Sequence, residues 1–303
     1  MEKEIADIAQ HPLLGRKEHR FPAPVFDGER VLVTGSSGSI GVRVCARLRE
    51  LGATVRGFDV DEGLDVTKIH LCEYVLREFR PKYVVHLAAH KYATTAEEIP
   101  YDVANLNVHG TQYVCERAAE HGARNVIVAS TCKAIMPETV YGASKLVAER
   151  VALSYGFTVG RFYNVMDSAG NVFEIWRRRM EQDLPLLVTP CRRYFVSGRE
   201  AVDYIIHLLG RPAGRRYAPW PGEAVDMPEM VRRFAPGYPV EQVPPRRGDR
   251  LAEPLHGTHE SFELIDGMLM DITSPHDQPV ANTEGAAPPV GVFSARSQSV
   301  LSR

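Results

Sequence analysis

The stretch that decides the fold covers residues 30–60 and reads RVLVTGSSGSIGVRVCARLRELGATVRGFDV. An apolar run, a glycine-rich turn, an amphipathic segment and a second apolar run follow one another, which predicts a strand, a turn, a helix and a second strand. Gly35, Gly38 and Gly41 form a G-x-x-G-x-x-G pattern at the turn. Glycine here allows the backbone to turn tightly and to approach a pyrophosphate, whose charge meets the helix N-terminus. The stretch therefore predicts a dinucleotide-binding unit.

An acidic residue, Asp59, stands at the end of the second predicted strand. It lies at about the 20-residue offset expected of a carboxylate that binds the cofactor ribose. Such a carboxylate accepts hydrogen bonds from ribose hydroxyls and repels a 2′-phosphate, so we expect NAD rather than NADP, although Arg56 is a nearby cation. Further cofactor contacts are predicted from the turn and from the segment after the second strand, at Ser37, Ser39, Ile40, Asp65 and Val66.

The chain alternates short apolar runs with helical patterns as far as residue 165. The runs YVVHLAAH, NVIVAS and FTVGRFYNV are separated by helical patterns at 68–79 and 104–121. This alternation predicts an α/β fold, a doubly wound parallel (Rossmann) sheet with a smaller C-terminal substrate lobe. We divide the chain into an N-terminal arm (1–29), an NAD-binding core (30–165), a mainly substrate-binding lobe interleaved with the core (166–269) and a flexible tail (270–303).

Composition excludes several classes of protein. The 303 residues carry a formal net charge of −2, so no general attraction to nucleic acid or to an anionic membrane is expected. The N-terminus MEKEIADIAQ lacks the apolar core of a signal peptide, and no apolar run approaches membrane-spanning length. The five cysteines are scattered and form no cluster at metal-ligand spacing. We expect a cytoplasmic protein with reduced thiols and no metal site.

The candidate catalytic groups lie in residues 130–145, STCKAIMPETVYGASK. Tyr141 and Lys145 are four residues apart, so they share one face of a helix. An ammonium beside a phenol stabilises the phenolate and lowers its pKa from about 10. The tyrosine can then take a proton from a sugar hydroxyl while a hydride leaves the same carbon for NAD. Thr131, at the end of the preceding strand, can hydrogen-bond the same oxygen.

Together these motifs resemble the extended short-chain dehydrogenase/reductase superfamily. More narrowly, STCKA…YGASK is similar to the STDKA…YGATK of UDP-N-acetylglucosamine 4,6-dehydratases of polysaccharide biosynthesis, of the capsular and flagellin-glycan type. PLLGR at 12–16, RFYNVMDSAGNV, RRYF at 192–195 and RRGDRLAEPL at 246–255 also resemble segments of that family. The resemblance of HLAAH implies that Leu87, Ala88 and Ala89 lie beside the cofactor, and Tyr141 and Lys145 are expected to contact it as well. The resemblance runs from about residue 12 to residue 256.

The resemblance implies a UDP-sugar substrate and a lyase reaction in three stages. Tyr141 helps to oxidise C4 to a ketone, which acidifies the C5 proton. A base removes that proton while an acid protonates the departing 6-hydroxyl, and the hydride then returns to C6. In the family the lysine of STDK is a candidate base and the aspartate a candidate acid. Lys133 matches the lysine, and burial is expected to lower its pKa toward the neutral form that a base needs.

Position 132 departs from the family, because a cysteine replaces the aspartate. A thiol has a reference pKa of about 8.5, against about 3.9 for aspartate, so Cys132 keeps its proton at neutral pH and can serve as the acid. Alternatively, a site that leaves C5 unprotonated returns the hydride to C4, and the product is a 5,6-ene sugar of the kind formed in nucleoside-antibiotic pathways. Cys132 can also be a small buried residue without a chemical task. A 4-epimerase and an inactive NAD-binding regulator remain open.

The substrate is expected to lie against the C-terminal lobe. Arg193 and Arg246 match family arginines and suit a diphosphate, since guanidinium offers bidentate donors. Asp249 matches a family acid that can accept from ribose hydroxyls, and AAHKYA resembles AALKHVP, which places Lys91 at the sugar. The amides of Asn164 and Asn171 can hydrogen-bond phosphate or sugar, and Val172, next to Asn171, is also predicted to contact the substrate. The resemblance also implies a homodimer or a larger homo-oligomer.

Overall fold

The computed structural model describes residues 18–246 and 249–277. Its strands are β1 (Arg30–Thr34), β2 (Thr54–Phe58), β3 (Tyr83–His86), β4 (Asn125–Thr131), β5 (Thr158–Phe162), β6 (Asn164–Val165), β7 (Leu186–Val188), β8 (Arg192–Arg193), β9 (Phe195–Val196), β10 (Arg216–Pro219), β11 (Val225–Asp226), β12 (Val240–Gln242), β13 (Ser261–Ile265) and β14 (Leu269–Thr273). Residues 1–17 of the predicted arm, which include the segment PLLGR, and residues 278–303 of the predicted tail lie outside the described residues.

The α-helices are α1 (Gly41–Glu50), α2 (Ile69–Phe79), α3 (Ala93–Glu98), α4 (Pro100–Ala104), α5 (Thr111–Glu120), α6 (Val140–Ser154), α7 (Val172–Glu181), α8 (Gly198–Leu208) and α9 (Met227–Phe234). One π-helical stretch, Asn105–Gly110, joins α4 to α5. Short 3₁₀ turns cover Val60–Glu62, Cys132–Ala134 and Pro275–Asp277. Within the two described ranges, no helix is long and apolar enough to cross a membrane.

An eight-stranded sheet forms the centre, in the order β13-β14-β10-β5-β4-β3-β1-β2. The six strands from β10 to β2 pair in parallel, and β14 and β13 add an antiparallel edge. The chain places β2 on one side of β1 and β3 on the other, so the winding direction reverses there. Such a reversal opens a crevice at the carboxyl ends of the strands. The predicted doubly wound sheet is confirmed.

Helices cover both faces of the sheet. Successive side chains of a strand point to opposite faces, so an inner strand buries apolar side chains against both layers of helices. On β1, Val31 and Val33 pack with α1 and α8, whereas Leu32 packs on the other face with α2, α5 and α6. All three side chains are buried. This alternation explains why β1 reads as a continuous apolar run.

A third core lies in the C-terminal half of the chain. It is centred on Trp176 and Phe173 of α7 and Met230 of α9, all of which are fully buried. The lobe is interleaved with the main body along the chain. Helix α8 and strand β10, which belong to the main body, lie in sequence between α7 and α9 of the lobe.

The prediction of a flexible tail from residue 270 is wrong for residues 270–277. Leu269, Met270 and Ile272 of β14 are buried between β10 and β13. The apolar pattern of this short strand is interrupted by Asp271, whose charge is met by an ion pair with Arg215. Because Asp271 breaks the apolar run, the sequence pattern did not indicate this strand.

The part of the predicted arm that the structure describes is packed against the main body. Phe21 and Phe26 are buried in the core that contains α1 and α8. The Phe21 ring lies 5.5 Å from that of Tyr204, and His207 Nδ1 lies 2.7 Å from the carbonyl of Pro22. Residues 18–29 therefore extend the core without a regular element.

Candidate active site

The predicted groups gather at the carboxyl edge of the parallel strands. Gly35 follows β1, Asp59 follows β2, Leu87 follows β3, and Asn164 follows β5, while Thr131 is the last residue of β4. Because parallel strands end at the same edge, residues far apart in the chain meet there. This edge is the candidate site.

The glycine turn leaves no room for larger side chains. Gly35 has φ +69°, and a Cβ there would lie 2.7 Å from the amide nitrogen of Ala88. A Cβ at Gly41 would lie 2.1 Å from the carbonyl oxygen of Gly35. The first turn of α1 has no side-chain cap from its N-cap residue Ile40. The N–H of Val42 donates to the carbonyl of Gly38 at 3.0 Å, but no cap side chain competes with an anion at this helix start, which fits the pyrophosphate of a dinucleotide.

Asp59 links the second strand to the glycine turn. Its Oδ2 accepts a hydrogen bond from the backbone N–H of Ser37 at 2.9 Å. Asp65 Oδ1 accepts from the backbone N–H of Thr67 at 2.8 Å, and Val66 is buried against Gly110. The Asp59 carboxylate thus lies beside the turn, as a ribose-binding acid would.

Tyr141 and Lys145 lie in the first turns of α6, next to the end of β4. The helix is capped by Thr139, whose Oγ1 accepts from the backbone N–H of Gly142 at 3.1 Å. Burial raises the pKa of Tyr141, while the charge of Lys133 and a hydrogen bond with Thr131 act against it, and the net direction is upward. The expected lowering is therefore wrong for the protein alone, because burial outweighs the nearby cation. Burial lowers the pKa of Lys145 to about 8.

A carboxylate that the sequence prediction missed lies at the centre of the site. Glu253 Oε1 accepts from Lys133 Nζ at 3.1 Å, and its Oε2 accepts from Asn164 Nδ2 at 2.9 Å. Arg193 Nε lies 3.6 Å from Oε1. The Glu253 side chain is only 2% exposed. The structure therefore brings together Lys133, Asn164 and Arg193, which the sequence singled out separately, around one buried acid.

Two contacts hold the Glu253 segment over the end of β4. The backbone N–H of Arg192 donates to the carbonyl of Leu251 at 2.8 Å. Arg250 Nη1 donates to the carbonyl of Ile135 at 2.7 Å. Glu253 belongs to the segment RRGDRLAEPL, which the sequence matched to the family, so an acid at its eighth position was the available signal.

The Lys133–Glu253 pair changes the expected protonation of the site. Burial lowers the pKa of Lys133, but the Glu253 carboxylate opposes it, and the net pKa lies above its ordinary value. The expectation of a lowered pKa is wrong because it took no account of this carboxylate. Burial and then Glu253 raise the pKa of Cys132 to about 12, although Lys133 opposes them. Lys133 is thus an ammonium and Cys132 a thiol at neutral pH.

The other predicted substrate residues are more dispersed. Arg246 Nε lies 3.3 Å from Asp249 Oδ2, so these two pair with each other. Asn171 caps α7, with Oδ1 accepting from the backbone N–H of Glu174 at 3.0 Å, and Val172 begins that helix. Lys91 Nζ donates to the carbonyl of Ala169 at 2.9 Å. The side-chain oxygen of Asn171 is therefore already engaged within the protein.

The fold, the glycine turn and the Tyr-x-x-x-Lys helix define an extended short-chain dehydrogenase/reductase. A family model described as "Polysaccharide biosynthesis protein" matches residues 60–268. The chain belongs to this family, and the predicted superfamily is confirmed.

Two curated relatives show what the chain is similar to. The probable polysaccharide biosynthesis protein EpsC of Bacillus subtilis is 28% identical over 301 residues, and the match covers 85% of this chain and 50% of EpsC. The chain thus spans half the length of that relative. A Campylobacter jejuni protein named UDP-N-acetylglucosamine 4,6-dehydratase (inverting) is 24% identical over 267 residues, covering 78% of this chain and 80% of the other.

Solved structures agree on the fold. Pen from Bacillus thuringiensis superposes with a TM-score of 0.75 at 23% identity, over 83% of this chain and 91% of Pen. A UDP-glucose 4-epimerase of Thermus thermophilus in complex with NAD gives a TM-score of 0.65 at 26% identity, over 74% of this chain and 89% of the epimerase.

Proposed function

We propose that the protein is an NAD-dependent nucleotide-sugar dehydratase, and that its substrate is UDP-N-acetylglucosamine. The observation that carries the proposal is the Lys133–Glu253 ion pair beside Tyr141. Oxidation at C4 needs only the tyrosine and a hydride acceptor, and so does 4-epimerisation. A second proton-transferring pair next to Tyr141 is required only when the C5 proton and the 6-hydroxyl must also leave.

The residues at the carboxyl edge fit a nicotinamide dinucleotide. The glycine turn and the uncapped start of α1 suit the pyrophosphate, and Asp59 suits the ribose. NAD, when bound, would accept a hydride from C4 and return it to C6 in a 4,6-dehydration or to C4 in a 5,6-dehydration. The preference for NAD rests on Asp59, and the Thermus epimerase with bound NAD supports it.

Each catalytic side chain has a task in this proposal. Tyr141 takes the proton from the 4-hydroxyl, and Thr131 orients that oxygen. Lys145 stabilises the phenolate while it is protonated, which its pKa of about 8 permits at neutral pH. Lys133 transfers protons during the elimination of water. Arg193, 3.6 Å from Glu253, is near enough to bind the diphosphate end of the substrate beside the pair.

We propose 4,6-dehydration first, because the Campylobacter relative bears that name and matches most of this chain. The buried thiol of Cys132, with its pKa of about 12, favours 5,6-dehydration as the second candidate. Hydride return to C6 requires a proton at C5, and a thiol this weakly acidic supplies one poorly. If C5 stays unprotonated, a 5,6-ene sugar is released.

The test is incubation of the protein and NAD with UDP-N-acetylglucosamine, followed by mass spectrometry of the nucleotide sugar. The proposal expects a product lighter by one water. Tyr141→Phe is expected to abolish product formation while cofactor binding persists, because the phenol acts only in the chemical step. Conversion to another UDP-sugar without loss of water would instead indicate a 4-epimerase. Cofactor binding without turnover of any nucleotide sugar would indicate a regulator.

A further inference from the structure

The elimination step needs a base at C5 and an acid at O6, yet position 132 holds a thiol instead of a carboxylate. Besides Cys132 and the Tyr141–Lys145 couple, two described groups here can move a proton: Lys133, whose charge acts on Tyr141, and Glu253, which accepts a hydrogen bond from Lys133. They differ in access, because the Lys133 side chain is 27% exposed and that of Glu253 only 2%. Lys133 therefore faces the cleft, and Glu253 lies behind it.

The geometry of the pair allows a direct proton transfer between the two residues. Lys133 Nζ and Glu253 Oε1 are 3.1 Å apart, a direct hydrogen bond. The titratable groups whose charges act on Nζ are Glu253, Cys132 and Tyr141, and Arg193 Nε lies 3.6 Å from the same carboxylate oxygen, Oε1. At rest the pair is Lys-NH₃⁺/Glu-COO⁻, and the direct hydrogen bond provides a path along which a proton can move from Nζ to Oε1 during the reaction.

We propose that Lys133 performs both proton transfers of the elimination, and that Glu253 is the positioning residue that holds its spare proton. This inference rests on the proposed dehydratase function. It assigns a role to a residue outside the sequence prediction. It also explains how the site can work with a thiol at position 132.

The elimination starts from the 4-keto sugar. A proton moves from Lys133 Nζ to Glu253 Oε1, which leaves a neutral amine. The amine takes the C5 proton, and the C–H electron pair forms the enolate at C4. The enolate then re-forms the ketone with a C5=C6 double bond, the C6–O bond breaks, and the oxygen takes a proton from the same Nζ and leaves as water. The proton on Glu253 returns to Lys133, so the pair is restored.

One stereochemical consequence follows from a single residue serving both atoms. A nitrogen that removes the C5 proton and then protonates O6 can reach both only from one side of the sugar. The C5 proton and the 6-hydroxyl are therefore expected to leave from the same face of the sugar. In a 5,6-ene product, substrate stereospecifically deuterated at C6 would reveal this in the geometry of the double bond, whereas in a 4,6-dehydration the returning hydride makes C6 a methyl group and erases it.

The test compares Glu253→Gln with Glu253→Asp in the full chain with NAD and UDP-N-acetylglucosamine. Gln keeps the shape but cannot accept a proton, whereas Asp keeps the carboxylate. Water loss is expected to fall at least about 100-fold in E253Q, as for loss of a general acid–base group, and to recover in part in E253D. Reduction of the cofactor, measured as its near-ultraviolet absorbance, is expected to persist in E253Q. Glu263→Gln, an exposed acid on β13, is the matched control.

The pH profile separates proton storage from a merely structural role. Removing the carboxylate removes the largest influence that opposes burial at Lys133 and so lowers the pKa of Lys133. The E253Q to wild-type ratio of water-loss rates is therefore expected to rise with pH as the amine forms. A pH-independent ratio would overturn the inference, as would wild-type water loss in E253Q or loss of cofactor reduction in E253Q. If the wild type itself reduces no cofactor and loses no water with UDP-N-acetylglucosamine, the proposed function fails instead.

Discussion

At the scale of single residues, the centre of the site is a carboxylate contributed from far along the chain. Cys132 occupies the family's acidic position, and Glu253 brings a carboxylate to the same place, bound to Lys133 and Asn164. Sequence patterns identified Thr131, Lys133, Tyr141 and Lys145 because these lie in one short stretch with a recognisable spacing. Glu253 is separated from Lys133 by 120 positions, so local spacing gives no sign of the contact. The same contact reversed the expected direction of the pKa of Lys133.

The variant Cys132→Ala tests whether the thiol is needed for the elimination of water. If Lys133 carries out both proton transfers, the variant is expected to keep at least about a tenth of the wild-type water-loss rate, because losing a general acid costs about 100-fold or more. The measurement is the initial rate of water loss under saturating substrate. A loss of about 100-fold in both C132A and C132S would identify the thiol as the acid and would contradict the account.

At the scale of elements, α6 is fixed to the sheet by a buried ion network. Glu149, on the same helix as Tyr141 and Lys145, accepts from Arg161 Nε and Arg216 Nε, each at 2.8 Å. Its Oε1 also accepts from Ser130 at 2.6 Å, next to Thr131. The spacing of Tyr141 and Lys145 indicated a helix there, and apolar runs predicted β4 and β5. The network was not predictable, since it joins four elements (α6, β4, β5 and β10) and depends on their packing.

Glu149→Gln is expected to destabilise the fold by about 3 kcal/mol, because it leaves two buried guanidinium groups with one counter-charge fewer. The measurement is the free energy of unfolding from a urea titration, with Glu263→Gln as the exposed control. An unchanged midpoint and slope would show that the network contributes nothing to stability.

At the scale of the whole molecule, the sheet is completed from the end of the described chain. The doubly wound core was predictable because apolar runs and helices alternate regularly from residue 30 to residue 165. The edge formed by β13 and β14 was not, because Glu263 and Asp271 interrupt the apolar runs of its strands. The predicted homodimer remains a prediction.

Truncation before Leu269 tests the role of this edge. The chain would lose the buried side chains of Leu269, Met270 and Ile272 and leave β10 and β13 without the strand between them. We expect loss of cooperative thermal unfolding relative to a chain that ends after Asp277. A cooperative transition at the same temperature would show that β14 is dispensable.

The most direct test of the central claim is proton NMR of the products formed from UDP-N-acetylglucosamine by the protein with NAD in deuterated water. The account predicts loss of water, with a new C6 methyl group and deuterium at C5 for 4,6-dehydration. Two vinyl protons without a methyl group would mean 5,6-dehydration, which keeps the dehydratase assignment and places Cys132 at the choice between the two products. A sugar ring that keeps its 6-hydroxyl, while the cofactor is bound, would contradict the account.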